Sequence, residues 1–129
     1  LTLEEANCIA QGAIANAVAL GIKINVAVCD VGGRLLAFQR MDGAMWAGIY
    51  GSQGKAIASA SFGRLSGDLT ERAEHPTFRA IVAHSGGAMI MGQGAVPVIR
   101  DGQVIGACGV GGGTGQEDED CARSGVHSL

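Results

Sequence analysis

The sequence predicts an α/β chain of the α+β kind, with helices packed on a five-stranded antiparallel sheet. Three observations carry that expectation. Helical periodicity follows a capping box near each end of the chain. Pairs of segments with a period of two are split by glycine-containing turns. The elements run α-β-β-α-α-α-β-β-β-α, which is neither the alternation of a doubly wound fold nor a repeat.

Each element has its own signal. Thr2 with Glu5 forms a capping box, and Leu3, Ala6, Ala10, Ala13, Ile14, Ala17 and Leu20 then recur at helical spacing up to Gly21. From Ile22 to Cys29 the period changes to two, Asp30-Val31-Gly32-Gly33 supplies a turn, and Arg34 to Arg40 reads as the returning strand. Ala44 to Phe62 contains no proline. Trp46, Ile49, Tyr50, Gln53, Ala56, Ile57 and Ala60 make the apolar face of this second helix, and Gly48, Ser52, Lys55 and Ser59 form the opposite stripe. Asp68 with Glu71 caps a short helix, Pro76 opens another that ends at Ser85-Gly86-Gly87, and Ala88 to Met91 is a short strand. Ala95 to Arg100, the turn Asp101-Gly102 and Gln103 to Val110 form a second hairpin, in which Pro97 removes a ladder donor and so marks an edge or a bulge. Thr114 with Glu117 is a second capping box that begins the C-terminal helix.

At 129 residues, 47% apolar and 16% charged, the chain is expected to fold as one domain over residues 1–129. A net charge of -3 with no Lys/Arg run leaves no footprint for nucleic acid, and no apolar run is long enough for a membrane span. The opening Leu1-Thr2-Leu3-Glu4-Glu5 lacks the basic region of a signal peptide, so the expected compartment is the cytoplasm. Few aromatics and many small side chains limit burial per residue and favour a homo-oligomer. Cys8, Cys29, Cys108 and Cys121 match neither a zinc nor a redox spacing and read as small hydrophobes.

Little in the residues demands catalysis, and the reading is a ligand-binding module rather than an enzyme. The run Gly109 to Thr114 resembles an anion site at a helix start, yet a tight turn explains it as well, and Glu117 to Asp120 would repel an anion. Lys55, alone on its stripe of small residues, either holds a ligand carboxylate or is a solvated lysine with its stem over a helix contact. His75, His84 and His127 are unpaired at metal-ligand spacing. Each reads as a helix-end or surface histidine, although one histidine is enough to ligate a porphyrin iron. The paired acids lie at helix starts, where capping explains them, and no G-x-S-x-G elbow brings Ser, His and Asp together.

Val26-Ala27-Val28-Cys29-Asp30-Val31-Gly32-Gly33, Arg40-Met41-Asp42-Gly43-Ala44, Lys55-Ala56, Phe62-Gly63-Arg64, and Val104-Ile105-Gly106 followed by Gly112 to Asp118 occur in that order over almost the whole chain. Together they resemble the GlcG/HbpS-like family. The resemblance implies a profilin-like fold, assembly into homo-oligomers, binding of haem or iron, and kinship with a domain found fused to a cobalamin adenosyltransferase. Asp30, Arg40, Lys55, Gly109 and Gly113 match positions of the family pattern; Gly111 and Cys29 depart from it, where serine and valine are usual.

On this reading the chain is a cytoplasmic oligomer that binds haem, or alternatively a corrinoid, without a covalent bond, accessory to cobalamin-dependent diol or glycerol metabolism or to glycolate metabolism. Lys55 or Arg40 would face the propionates, His75 or His84 would ligate iron, and Gly109, Gly113 and Thr114 would complete a groove between the second helix and the polyglycine bend. The alternative is an interaction module that docks on a partner enzyme and takes no small ligand. A third reading, an enzyme holding a small acid with Lys55 and Arg40, lacks a visible base and nucleophile.

Overall fold

A computed structural model describes residues 1–129. Four helices, four strands and one 3-10 turn make it up: α1 (Leu3–Leu20), β1 (Asn25–Asp30), β2 (Leu35–Arg40), α2 (Ala47–Phe62), the 3-10 turn Ser66–Arg72, α3 (Pro76–His84), β3 (Ala95–Arg100), β4 (Gln103–Gly111) and α4 (Gly115–His127). The sheet is antiparallel with order β2-β1-β4-β3, two hairpins joined through their inner strands.

Three of the four helix starts follow local chemistry, while α2 and the 3-10 turn begin without a side-chain cap, so the expected Asp68/Glu71 cap does not form. Both capping boxes form: the Thr2 and Thr114 side chains accept from the Glu5 and Glu117 amides, and the two glutamates reach back to the threonine amides. Pro76 sits in the first turn of α3 behind His75, whose ring nitrogen accepts from the Thr77 amide. Pro97 lies on β3, which is an edge strand and carries a bulge after Val98, so the missing donor is tolerated there.

The sheet has four strands, not five. Ala88 to Met91 has no ladder partner; it crosses α2 instead, with the Ile90 amide donating to the Gly54 carbonyl at 3.0 Å. Its alternation is real, since Met89 and Met91 are buried, but they pack on Ala58 and Leu69. The first strand also begins at Asn25 and not at Ile22, because the Ile22 amide still donates to the Ala17 carbonyl and pairing starts at Asn25 opposite Arg40.

The two faces of the sheet are built differently. Val26, Val28, Val96, Val98, Cys108 and Val110 pack with Ile24 against Ala6, Ile9, Ala10 and Ala13 of α1 and Cys121 and Ala122 of α4. On the other face, Ala27, Cys29, Ala107, Gly109 and Gly111 stand under α2. A methyl group at Gly109 would overlap the Ser52 carbonyl oxygen and lie 2.8 Å from the Ala56 nitrogen, so helix and strand touch backbone to backbone.

That close approach splits the expected apolar face of α2: Ala56 and Ala60 are buried as expected, the opposite stripe is buried with them, and the large members of the face are not. Ser52, Lys55 and Ser59 are buried against the sheet, while Trp46 and Tyr50 are 67% and 66% exposed. Only small side chains fit between α2 and a strand of alanine and glycine, and the large apolar ones are left outside.

Candidate functional site

Lys55 projects from the inner side of α2. Its Nζ lies 3.2 Å from Asp118 Oδ2 on α4 and 3.2 Å from the Gln93 carbonyl, and both charged side chains are buried. The other carboxylate oxygen, Oδ1, accepts from the Gly113 amide at 2.8 Å. Burial pushes the Asp118 carboxyl above the usual carboxylate range, while Lys55 and the Gly113 amide pull it down. This ion pair ties α2, the loop before β3, the glycine bend and α4 together.

The glycine bend is therefore supplied with an anion by its own chain. Asp118 takes the Gly113 amide, Glu117 takes the Thr114 amide, and the Thr114 hydroxyl accepts from Glu117. Gly109 is covered by α2. The groove expected between the second helix and this bend is filled, because α2 meets β4 through backbone and the remaining space holds the Lys55–Asp118 pair.

The other sequence-predicted residues lie apart from that pair and from each other. Arg40 is exposed at the end of β2, its guanidinium 3.5 Å from the Ala44 carbonyl. His75 caps α3 and stands edge-on to Phe78 with ring centroids 6.1 Å apart; His84 is exposed in the last turn of α3. No three His, Cys, Asp or Glu side chains gather as a metal site. Burial raises the Cys29 thiol to about 11 and lifts Cys108 and Cys121 as well, which favours the protonated form of all three.

Open space lies instead on the outer side of α2. A cleft of about 440 Å3 runs between the β1–β2 turn and the helix, lined by Val31, Gly33, Ile57, Ala60 and Met89. A second, of about 250 Å3, lies between Tyr50, Gln53 and Ile57 of α2 and the Gly87 to Ile90 segment. A narrow hollow against Cys29, Leu35, Gln53 and Ile57 lies beside them, and Ile57 lines all three. The helix has a single charged residue, Lys55, and it is buried, so the wall offered to a guest is uncharged. Two wider depressions, of about 520 and 530 Å3, have ionisable side chains among their linings: Glu4 on the outside of α1, and Arg100 with His127 where β3 meets the end of α4.

Tyr50, Gln53, Ile57, Met89 and the Val31–Gly33 turn were missed as site residues. A signal was present: sixteen helical residues with one charge cannot supply an ordinary solvated face. The alternation of small residues at Ala107, Gly109 and Gly111 shows which side of the strand needs a close neighbour.

Comparison with known proteins converges on one family. A family profile described as "Haem degrading protein HbpS-like" matches residues 1–127. The chain is 30% identical over 125 residues to an uncharacterized 15.0 kDa protein in the dhaT-dhaS intergenic region of Citrobacter freundii, covering 96% of this chain and 88% of that one. It is 37% identical over 87 residues to Protein GlcG of Escherichia coli, 67% of this chain and 63% of that protein. Among solved structures, Klebsiella pneumoniae protein ORFY superposes with a TM-score of 0.91 at 29% identity, covering 99% of this chain and 89% of that one. A double mutant of Streptomyces reticuli HbpS gives 0.89 at 30% identity over 100% and 86% of the two chains. A PduOC:heme complex also gives 0.89, over 100% and 94%, at 21% identity, which speaks to the fold alone.

Proposed function

The chain belongs to the HbpS-like family, and on that premise we propose that it binds haem, or a related tetrapyrrole, non-covalently in the groove along the outer side of α2. The observation that carries this reading is the uncharged groove itself: two clefts of about 440 and 250 Å3 that share Ile57 as a wall and are lined by Val31, Tyr50 and Ile90, on a helix whose one charge is turned inward. Clefts of this size with an apolar wall suit a flat hydrophobic guest. Arg34 and Arg64 follow the Val31–Gly33 turn and the end of α2, where cations would meet propionates at the solvent rim. Support from relatives is the haem-degrading description of the family.

In this reading Lys55, Asp118, Gly109, Gly113 and Thr114 hold α2 on the sheet and so fix the groove from behind. The wider reading, a cytoplasmic homo-oligomer accessory to cobalamin-dependent diol or glycerol metabolism or to glycolate metabolism, with a corrinoid as the other guest, is supported by the resemblance alone. Adding ferric haemin to the purified protein is expected to give a saturable Soret shift at one equivalent per chain and to quench Trp46, the only tryptophan. A linear, unsaturable response with Trp46 undisturbed would overturn the proposal.

A second reading has its own observation. Met45, Trp46 and Tyr50 stand 64%, 67% and 66% exposed beside one another, an apolar and aromatic patch of the kind found at the centre of protein interfaces. It would serve docking on a partner enzyme without any small ligand. A stoichiometric partner recovered on the native protein, lost with Trp46→Glu and seen without a Soret shift, would favour it.

A further inference from the structure

We infer that Tyr50 is the residue that ligates a ferric porphyrin in the α2 groove, through its phenolate oxygen. This rests on the haem-binding reading above and names the donor that the reading leaves open. An iron porphyrin held by one protein ligand needs a nitrogen, sulfur or phenolate donor facing the bound ring. Three histidines were available in the sequence, and none lines the groove. His75 is committed to the start of α3, with its Nδ1 accepting from the Thr77 amide and its ring against Phe78. His84 lies in the last turn of α3 outside the cleft linings. His127 lines a different depression, beside Arg100 at the end of α4.

Three side chains around the groove carry a donor suited to iron, Met89, Cys29 and Tyr50. Cys29 is 2% exposed and packs with Ala56, Ala60 and Ala107, and burial raises its thiol to about 11, so its sulfur belongs to the layer under α2. Met89 is 7% exposed and packs with Ala58, Leu69 and Met91, so its thioether belongs to the core under α3. Tyr50 is 66% exposed, lines the cleft with Ile57, Gly87 and Ile90, and stands edge-on to Trp46 with ring centroids 6.2 Å apart. The opposite wall of the cleft is open at Gly87, where an added side chain would meet nothing within 4 Å. Ligation is a simple exchange: the phenol oxygen bonds to ferric iron, displaces a bound water or chloride, and gives its proton to solvent. No oxidant or reductant is required. A hard anionic oxygen favours the ferric over the ferrous state, so reduction should loosen the guest.

The test uses the whole protein loaded with ferric haemin and read by visible absorption and resonance Raman spectroscopy. Wild type is expected to show a phenolate-to-iron charge-transfer band and phenolate ring modes, both lost in Tyr50→Phe and unchanged in His75→Ala, His84→Ala and His127→Ala. Tyr50→His should replace them with an imidazole-ligated spectrum. Metal-free protoporphyrin IX, followed by quenching of Trp46, should bind wild type and Tyr50→Phe alike, since it has no iron to ligate. If the porphyrin binds and the Tyr50→Phe haemin spectrum equals that of wild type, or a histidine variant alone removes the wild-type signature, the Tyr50 assignment falls and the groove stands. If neither haemin nor protoporphyrin binds, both the assignment and the haem-binding reading fall.

Discussion

The two sides of the sheet bury comparable numbers of strands in opposite ways. Toward α1 and α4 the strands present valines and Cys108, and the helices answer with Ile9 and a row of alanines, so large side chains fill the layer between sheet and helices. Toward α2 the strands present Ala27, Ala107, Gly109 and Gly111, and the helix answers with Gly48, Ser52, Lys55 and Ala56. A helix that comes this close must keep its bulky residues elsewhere. Tyr50 and Ile57 therefore line open clefts and Trp46 stands exposed at the start of the helix, and on the proposed reading this is the side offered to a guest.

Substitutions can break that contrast. The largest effect is expected for Asp118→Ala, which leaves the Lys55 ammonium buried without its partner; about 3–5 kcal/mol of stability should be lost in urea unfolding, and much of it regained in Lys55→Met/Asp118→Leu. Next, the same change should have opposite signs on the two faces of α2. Gly109→Ala forces a methyl into the Ser52 carbonyl and should cost about 1–3 kcal/mol, whereas Gly51→Ala, in open space on the helix exterior, should stabilise by up to about 1 kcal/mol. Trp46→Ala should shift stability by no more than about 0.5 kcal/mol, a small cost for so large a residue, because its ring is outside the core.

The smallest effect lies on the α1 side. The Thr2 amide and the Arg100 guanidinium hold the Glu5 carboxyl below its ordinary value of 4.5. The charged form is therefore the favoured one in the folded state, and its stabilisation is complete above about pH 4.5 and lost as pH falls through the lowered folded value. The melting temperature of wild type should exceed that of Glu5→Gln at neutral pH, and the gap should close on acidification. A gap that widens in acid would contradict the sign.

Most of the fold was legible because its signals are local. Thr2/Glu5 and Thr114/Glu117 mark helix starts through side chain to amide bonds within four residues, Pro76 marks another, and Pro97 marks the edge strand. Asp101-Gly102 takes left-handed backbone, with φ of 52° and 75°, as a two-residue hairpin turn requires. The element that failed, Ala88 to Met91, has a strand's alternation but owes it to Met89 and Met91 reaching under α3, a contact that local pattern cannot distinguish from a sheet. The site was harder. Hydropathy ranks Trp46, Tyr50 and Ile57 as interior and Ser52, Lys55 and Ser59 as exterior, and that ranking holds only when the partner surface has room for large side chains. Gly109 and Gly111 remove the room, and Asp118, 63 positions away, neutralises Lys55. Whether a lysine faces a ligand or a buried aspartate is decided by that long-range pairing and not by its neighbours in the chain.

The most direct test places one charge on each side of the sheet. Ile57→Glu puts a carboxylate in the α2 groove, and Ile99→Glu puts one in the depression by Arg100 and His127; Ile57 lines the clefts and Ile99 is 55% exposed. Haemin titrations of the two folded variants should show that Ile57→Glu abolishes saturable uptake and Trp46 quenching while Ile99→Glu binds as wild type does. Undiminished uptake by Ile57→Glu, with loss in Ile99→Glu, would place the guest on the α4 side and contradict the assignment of function to the outer face of α2.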